Sequence, residues 1–120
     1  MARILVVDDA GIMRRTLISI LEQAGHEIVA EAGDGNKAYW AYSTYRPDLV
    51  TMDINMPGEG GVETVVRIIE AFPEAKIIMV TSHDTKKLVF QAIKHGAKHY
   101  VLKPIDQEKL LAVINEVLGR

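Results

Sequence analysis

The chain has 120 residues, 48% of them hydrophobic and 25% charged, enough for one domain with a buried core of its own. It contains no cysteine, which excludes a disulfide framework or a cysteine-based metal site, and its net charge of −2 lacks the basic excess of a general nucleic-acid binder. No apolar run approaches the roughly 18 residues needed to span a bilayer, and Met1-Ala2-Arg3-Ile4 enters a strand-like pattern without the h-region of a signal peptide; the expectation is a soluble, cytoplasmic protein with a single domain over residues 1–120, in direct contact with neither membrane nor nucleic acid.

Residues 4–7 form an unbroken apolar run. The segment after it has helical period, places Met13, Leu17, Leu21 and Ala24 on one stripe, and should stop at Gly25. A second run at 28–30 precedes an aromatic helix in which Ala38, Tyr42 and Tyr45 share the core-facing stripe and Trp40 lies opposite. The third run, 49–52, is followed by the glycine-rich segment 58–61 and a further helical stretch. After the fourth run, 77–80, comes a helix with Val89, Ala92, Ile93 and Gly96 as its core stripe. Phe90 falls off that stripe among Lys86, Lys87, Lys94 and Lys98, a pattern as compatible with partner docking as with an ordinary surface aromatic. The fifth run is 100–102; Asp106 then suits the N-cap of a last helix whose stripe is Leu110, Ile114, Val117 and Leu118. Unbroken rather than alternating runs predict strands buried on both faces, as in parallel sheets. Strand followed by helix, five times over, predicts an α/β fold: a (βα)5 doubly wound, parallel, five-stranded sheet with right-handed crossovers.

Functional sites in such sheets lie outside the carboxyl ends of the strands. Past the first run stand Asp8 and Asp9; past the third, Asp53; past the fourth, Thr81 and Ser82; past the fifth, Lys103 and Pro104. Three carboxylates on one rim repel one another, and a hard cation such as Mg²⁺ would relieve them. A lysine and hydroxyls beside them suit the equatorial oxygens of a phosphoryl group, and a carboxylate among them can serve as the nucleophile. The constellation therefore points to phosphoryl transfer through an aspartyl-phosphate. Taken singly, each residue has a plainer reading: strand-end aspartates cap turns, Thr81 and Ser82 can cap the next helix, and Lys103 can be a solvated loop lysine. It is their joint placement that argues for chemistry.

This set resembles the bacterial two-component response-regulator receiver domain of the chemotaxis-regulator type, over essentially the whole chain: Asp8-Asp9, Asp53, Met56-Pro57 with Gly61 beyond, Thr81, Tyr100, and Lys103-Pro104. The resemblance implies the flavodoxin-like strand order 2-1-3-4-5 and one receiver domain over residues 1–120. It implies Asp53 as phosphoacceptor; Mg²⁺ held by Asp9, Asp53 and the backbone carbonyl of Asn55, with Asp8 assisting; and Lys103, cis-bonded to Pro104, paired with Asp53 and then with the phosphate. Thr81 is implied as a phosphate ligand and, with Tyr100, as the switch; Asn55 and His83 as residues that tune dephosphorylation. It also implies a sensor histidine kinase or phosphotransfer protein as donor, met by the start of the first helix (Gly11, Ile12, Met13, Arg14, Arg15), and a downstream target protein on the face of the fourth helix, fifth strand and fifth helix. The resemblance further implies a signalling module rather than an enzyme, one that assists its own phosphorylation and dephosphorylation.

Two positions depart from the family pattern: Ser82 stands where alanine is usual, and Gly60, in a loop richer in glycine than usual, where aspartate is common. The alternatives are a flavodoxin-like cofactor-binding domain, a degenerate receiver used only for docking, and the receiver piece of a larger DNA-binding or enzymatic regulator; a stand-alone monomer, able to dimerise when phosphorylated, is the expected form. Against the flavodoxin reading, Asp8-Asp9-Ala10-Gly11 is acidic and has one glycine, a poor phosphate cradle. No motif encodes the cognate kinase, the target or the choice between chemotaxis and a phosphorelay.

Overall fold

A computed structural model describes all of residues 1–120. The strands are β1 (Arg3–Val7), β2 (Glu27–Ala32), β3 (Leu49–Met52), β4 (Ile77–Thr81) and β5 (His99–Leu102). The helices are α1 (Gly11–Gln23), α2 (Gly35–Tyr45), α3 (Gly61–Ala71), α4 (Lys86–Lys94) and α5 (Gln107–Leu118), with a 3₁₀ turn at His83–Thr85 before α4. All strand pairs are parallel and the order is β2-β1-β3-β4-β5, the order implied by the resemblance.

The unbroken apolar runs follow from this layering. Along β1, Ile4 and Val6 enter one core while Leu5 and Val7 enter another; along β4, Ile78 and Val80 oppose Ile77 and Met79 in the same way. With helices on both faces, neither side of a central strand can be polar. One core lies under α1 and α5, with Leu17, Leu21, Leu110 and Ile114 at its centre. The other lies under α2, α3 and α4, with Ala38, Tyr42, Val65, Ile68, Val89 and Ala92. The edge strand β2 carries the exposed Glu27 and Glu31, so its apolar run in the sequence is shorter than the strand itself.

The helix ends obey local rules. Asp34 accepts from Lys37 N and Asp106 from Lys109 N, capping α2 and α5. Gly25 and Gly96 take positive φ just past α1 and α4, as their positions in the sequence predict.

Three stripe assignments need correction. Ala24 lies beyond the last turn of α1 and is exposed; Ile18 and Ile20 join Met13, Leu17 and Leu21 on that core instead. Tyr45 is exposed because α2 ends there, Arg46 turning left-handed, and the half-buried Tyr39 packs on the core in its place. Ile93 sits at the margin of the α4 stripe and stays exposed, since the chain turns at Gly96 and delivers Ala97 to the core. Trp40 and Phe90 are exposed, as expected.

A matched pair of isoleucines tests the layering. Ile68→Ala, in the core under α3, should lower unfolding free energy by about 2–5 kcal/mol. Ile12→Ala, at a position 78% exposed, should change it by no more than about 0.5 kcal/mol. Urea unfolding at neutral pH measures both.

Candidate functional site

Parallel register brings the strand ends level. Val7 pairs with both Ala32 and Met52, Met52 with Met79, and Thr81 with Leu102. The residues that follow these strands therefore emerge on one rim. Asp53 N donates to Val7 O at 3.0 Å, and Lys103 N donates to Thr81 O at 2.7 Å, so the sheet's hydrogen bonding runs on into the site.

Three carboxylates meet there: oxygens of Asp8, Asp9 and Asp53 all lie within 4.8 Å of one another. Asp8 is 1% exposed and Asp53 4%, while Asp9 opens to solvent. Asp8 Oδ1 accepts from Ala10 N at 2.9 Å, the turn role of the plainer reading, but its Oδ2 receives Lys103 Nζ at 2.9 Å. Lys103 Nζ is 3.7 Å from Asp53 Oδ2. The lysine thus reaches both acids and lies nearer to Asp8, whereas the resemblance pairs it with Asp53. The Lys103–Pro104 peptide is cis.

Burial pushes the Asp53 carboxyl above its ordinary value, and the negative charge of Asp8 pushes it further. Lys103 and the N–H groups of Asn55 and Ile54 pull against this without cancelling it. Three carboxylates and one ammonium leave two negative charges unbalanced, two of the acids being buried. An all-oxygen donor set of this charge, with Asp9 as its exposed arm, fits a hard divalent cation such as Mg²⁺ and not a soft metal.

Gly61 closes the floor of the site. A Cβ on it would collide with the carbonyl oxygen of Asp53 and with Ile54 Cα, and Gly61 N donates to Ile54 O at 2.9 Å. Close backbone approach is what demands glycine here.

By register, Asp53 stands one residue short of the level of Thr81 on the neighbouring strand. Thr81 is fully buried, and its Oγ1 lies 3.0 Å from Thr85 Oγ1. Ser82 donates to Asp84 at 2.7 Å; it does not cap the following turn. Asn55 and His83 are exposed at the rim. Tyr100 is half-buried against the core under α2, α3 and α4, and its N donates to His99 Nδ1 at 2.8 Å.

Two contacts escape sequence reasoning. Arg14 donates to the backbone carbonyl of Asp8 at 2.6 Å while pairing with Glu31 at 2.8 Å, tying α1 and β2 to the acid pair. Thr85 is the second; its only signal is a spacing of four residues from Thr81 at a helix start. Two surface clefts of about 400 Å³ lie elsewhere. One is at the amino ends of the strands, lined by Ala2, Tyr42, Asp48 and Lys76, and the other lies between Asp34 and Glu59.

Comparison with known proteins finds relatives over nearly the whole chain. The profile of the response regulator receiver domain matches residues 4–115. Protein CcdB of Bacillus subtilis (strain 168) is 44% identical over 119 residues, 99% of both chains. Chemotaxis protein CheY of Thermotoga maritima is 39% identical over 115 residues, 96% of both. Among solved structures, the CheX-CheY-BeF3-Mg+2 complex from Borrelia burgdorferi superposes with a TM-score of 0.93 at 31% identity, covering 98% of this chain and 90% of that one.

The raised Asp53 carboxyl has a consequence for stability. The folded state holds this proton more tightly than the unfolded chain does, so stability falls as pH rises from the ordinary value of 3.8 through the raised folded value. Asp53→Asn removes that loss, and Lys103 keeps its partner Asp8. Without divalent cation, the variant should therefore unfold at higher urea than the parent at pH 7, and the difference should close as pH falls toward 3.8. A parent as stable as the variant at pH 7 contradicts the assignment of uncompensated charge.

Proposed function

This chain belongs to the response regulator receiver domain family, and from that premise we propose that it takes a phosphoryl group from a phosphohistidine donor onto Asp53. The observation that carries the proposal is the burial of Asp53 within 4.8 Å of two further carboxylates, with Lys103 Nζ 3.7 Å from its Oδ2. A structural aspartate has no use for such neighbours; a nucleophile that must end with a dianionic group attached does.

In the reaction, a carboxylate oxygen of Asp53 bonds to phosphorus as the P–N bond to the donor imidazole breaks. The imidazole leaves with the electron pair of that bond and takes a proton from solvent. Asp53 must be ionised to act, so its raised pKa makes reactivity rise with pH and with any positive charge brought close. Lys103 supplies one such charge, 3.7 Å from Asp53 Oδ2. Asp8, Asp9, Asp53 and the carbonyl of Asn55 would hold Mg²⁺, which when bound neutralises the remaining acid charge and the phosphoryl oxygens. The relative from Borrelia burgdorferi, described as a complex with BeF3 and Mg+2, supports reading the acid cluster this way.

After transfer, Lys103 and Thr81 contact the phosphoryl oxygens, and Tyr100 follows Thr81 inward. This alters the face formed by α4, β5 and α5, where a target protein reads the state. Asn55 and His83, exposed at the rim, set how readily water attacks the acyl phosphate. The donor is a sensor histidine kinase or phosphotransfer protein docking near the start of α1, and the domain, residues 1–120, works in the cytoplasm. No helix is long and apolar enough to cross a membrane. The flavodoxin-like alternative lacks support, because the residues that follow the first strand, 8–11, line neither cleft.

Asp53→Asn should abolish incorporation of label from acetyl phosphate or from a phosphorylated kinase, and EDTA should do the same to the parent. Retained labelling in the variant overturns the phosphoacceptor assignment. Asp9→Asn should weaken Mg²⁺ binding by at least about tenfold, read by calorimetric titration, since it removes a charged ligand of the cation; an unchanged affinity removes Asp9 from the ligand set.

A further inference from the structure

The hydroxyl of Thr81 is not idle in this structure. Its Oγ1 is buried and 3.0 Å from Thr85 Oγ1, and Thr85 Oγ1 donates its own proton to the carbonyl of Ser82 at 2.8 Å. A hydroxyl has a single proton. With the proton of Thr85 committed to Ser82, the bond between the two threonines must run from Thr81 to Thr85. Thr85 itself is buried, at the junction of the 3₁₀ turn and α4. The two hydroxyls and the Ser82 carbonyl thus form a short directed chain, Thr81 to Thr85 to Ser82, that points the proton of Thr81 toward α4.

We infer that Thr85 is a positioning residue that holds Thr81 in the unphosphorylated arrangement by accepting the proton Thr81 needs for a phosphoryl oxygen. The inference rests on the reading of Thr81 as a phosphoryl ligand. Thr81 cannot donate to Thr85 and to the phosphoryl group at once, so forming the second bond breaks the first. Thr85 therefore opposes the activated state by the strength of one buried neutral hydrogen bond, and removing its hydroxyl should tip the balance toward activation. Valine suits the test because it keeps the shape of threonine and lacks the hydroxyl. The Ser82 carbonyl still receives Thr85 N, at 3.3 Å, after that change.

The experiment measures binding of beryllium fluoride, a phosphoryl mimic, in the presence of Mg²⁺ by isothermal titration calorimetry on the full chain. The variants are Thr85→Val, Thr85→Ser, Thr81→Ala and the double variant Thr81→Ala/Thr85→Val, with urea unfolding as a check that each is folded. Thr85→Val should bind about threefold to tenfold tighter than the parent, and Thr85→Ser, which restores the acceptor, should bind as the parent does. The double variant should bind no tighter than Thr81→Ala alone, because the gain runs through Thr81. A merely structural role for Thr85 would not produce this dependence on the other hydroxyl. Should Thr85→Val fail to fold, Thr85→Ala takes its place in every comparison.

Binding by Thr85→Val equal to or weaker than the parent overturns the inference, as does a gain that persists without the Thr81 hydroxyl. If instead Thr81→Ala binds as tightly as the parent, the reading of Thr81 as a phosphoryl ligand fails, and the role of Thr85 falls with it. That result is visible in a different variant from the first two.

Discussion

Two buried carboxylates share one lysine, and much of the structure around them serves to keep that arrangement in place. Asp8 and Asp53 would each be costly to bury alone, and the charge of Asp8 adds to burial in raising the affinity of Asp53 for a proton. Lys103 reaches both but is hydrogen-bonded to Asp8, at 2.9 Å against 3.7 Å for Asp53. This asymmetry matters chemically. Asp8 is held and satisfied, with a backbone N–H on its other oxygen. Asp53 has weaker partners, a raised pKa and a positive charge close by but not hydrogen-bonded to it, so its charge is the less compensated of the two.

The sheet makes this possible because parallel strands all end on the same side. β1, β3, β4 and β5 supply Asp8, Asp53, Thr81 and Lys103 from strands in direct hydrogen-bonded contact. The bond from Lys103 N to Thr81 O links the lysine strand to the hydroxyl strand, and that from Asp53 N to Val7 O links the two acidic strands. Side-chain geometry at the rim therefore inherits the rigidity of the core, whose strands are apolar on both faces. Gly61 adds a local condition: α3 can begin against the Asp53 carbonyl only because no Cβ intervenes.

Thr81 is where the rim meets the rest of the molecule. Its carbonyl is held by β5 and its hydroxyl by Thr85, the residue at the entry to α4. Displacing the Thr81 side chain is thus felt at the start of α4, while its backbone stays fixed in the sheet. The helix that begins there, α4, carries the exposed Phe90 and its lysines.

Which parts of this were legible in the sequence depends on range. The strands and helices were, because burial on both faces forces apolar runs at 4–7, 49–52 and 77–80, and because Gly25, Gly96 and Asp106 mark helix ends by local backbone rules. Stripe margins were not: Tyr45 and Ile93 have core-like spacing, but α2 stops at Tyr45 and the chain turns at Gly96 before their faces can be covered. The acids, Thr81 and Lys103 could be nominated because strand ends of a parallel sheet converge. Their mutual distances could not, and with them the choice of Asp8 as the lysine's nearer partner, since that follows from side-chain reach across 95 residues of sequence. Arg14 on the Asp8 carbonyl left no pattern, and Thr85 on Thr81 left only a spacing of four residues at a helix start. Hydrogen bonds of this kind depend on where a turn places one atom, and periodicity carries no record of that. The sequence by itself determined the layers, the strand ends and the chemical types on the rim, because burial and backbone preference act residue by residue. Tertiary structure alone decided which acid the lysine holds and where the Thr81 proton points, because both depend on distances of a few tenths of an ångström between groups the chain brings together only when folded.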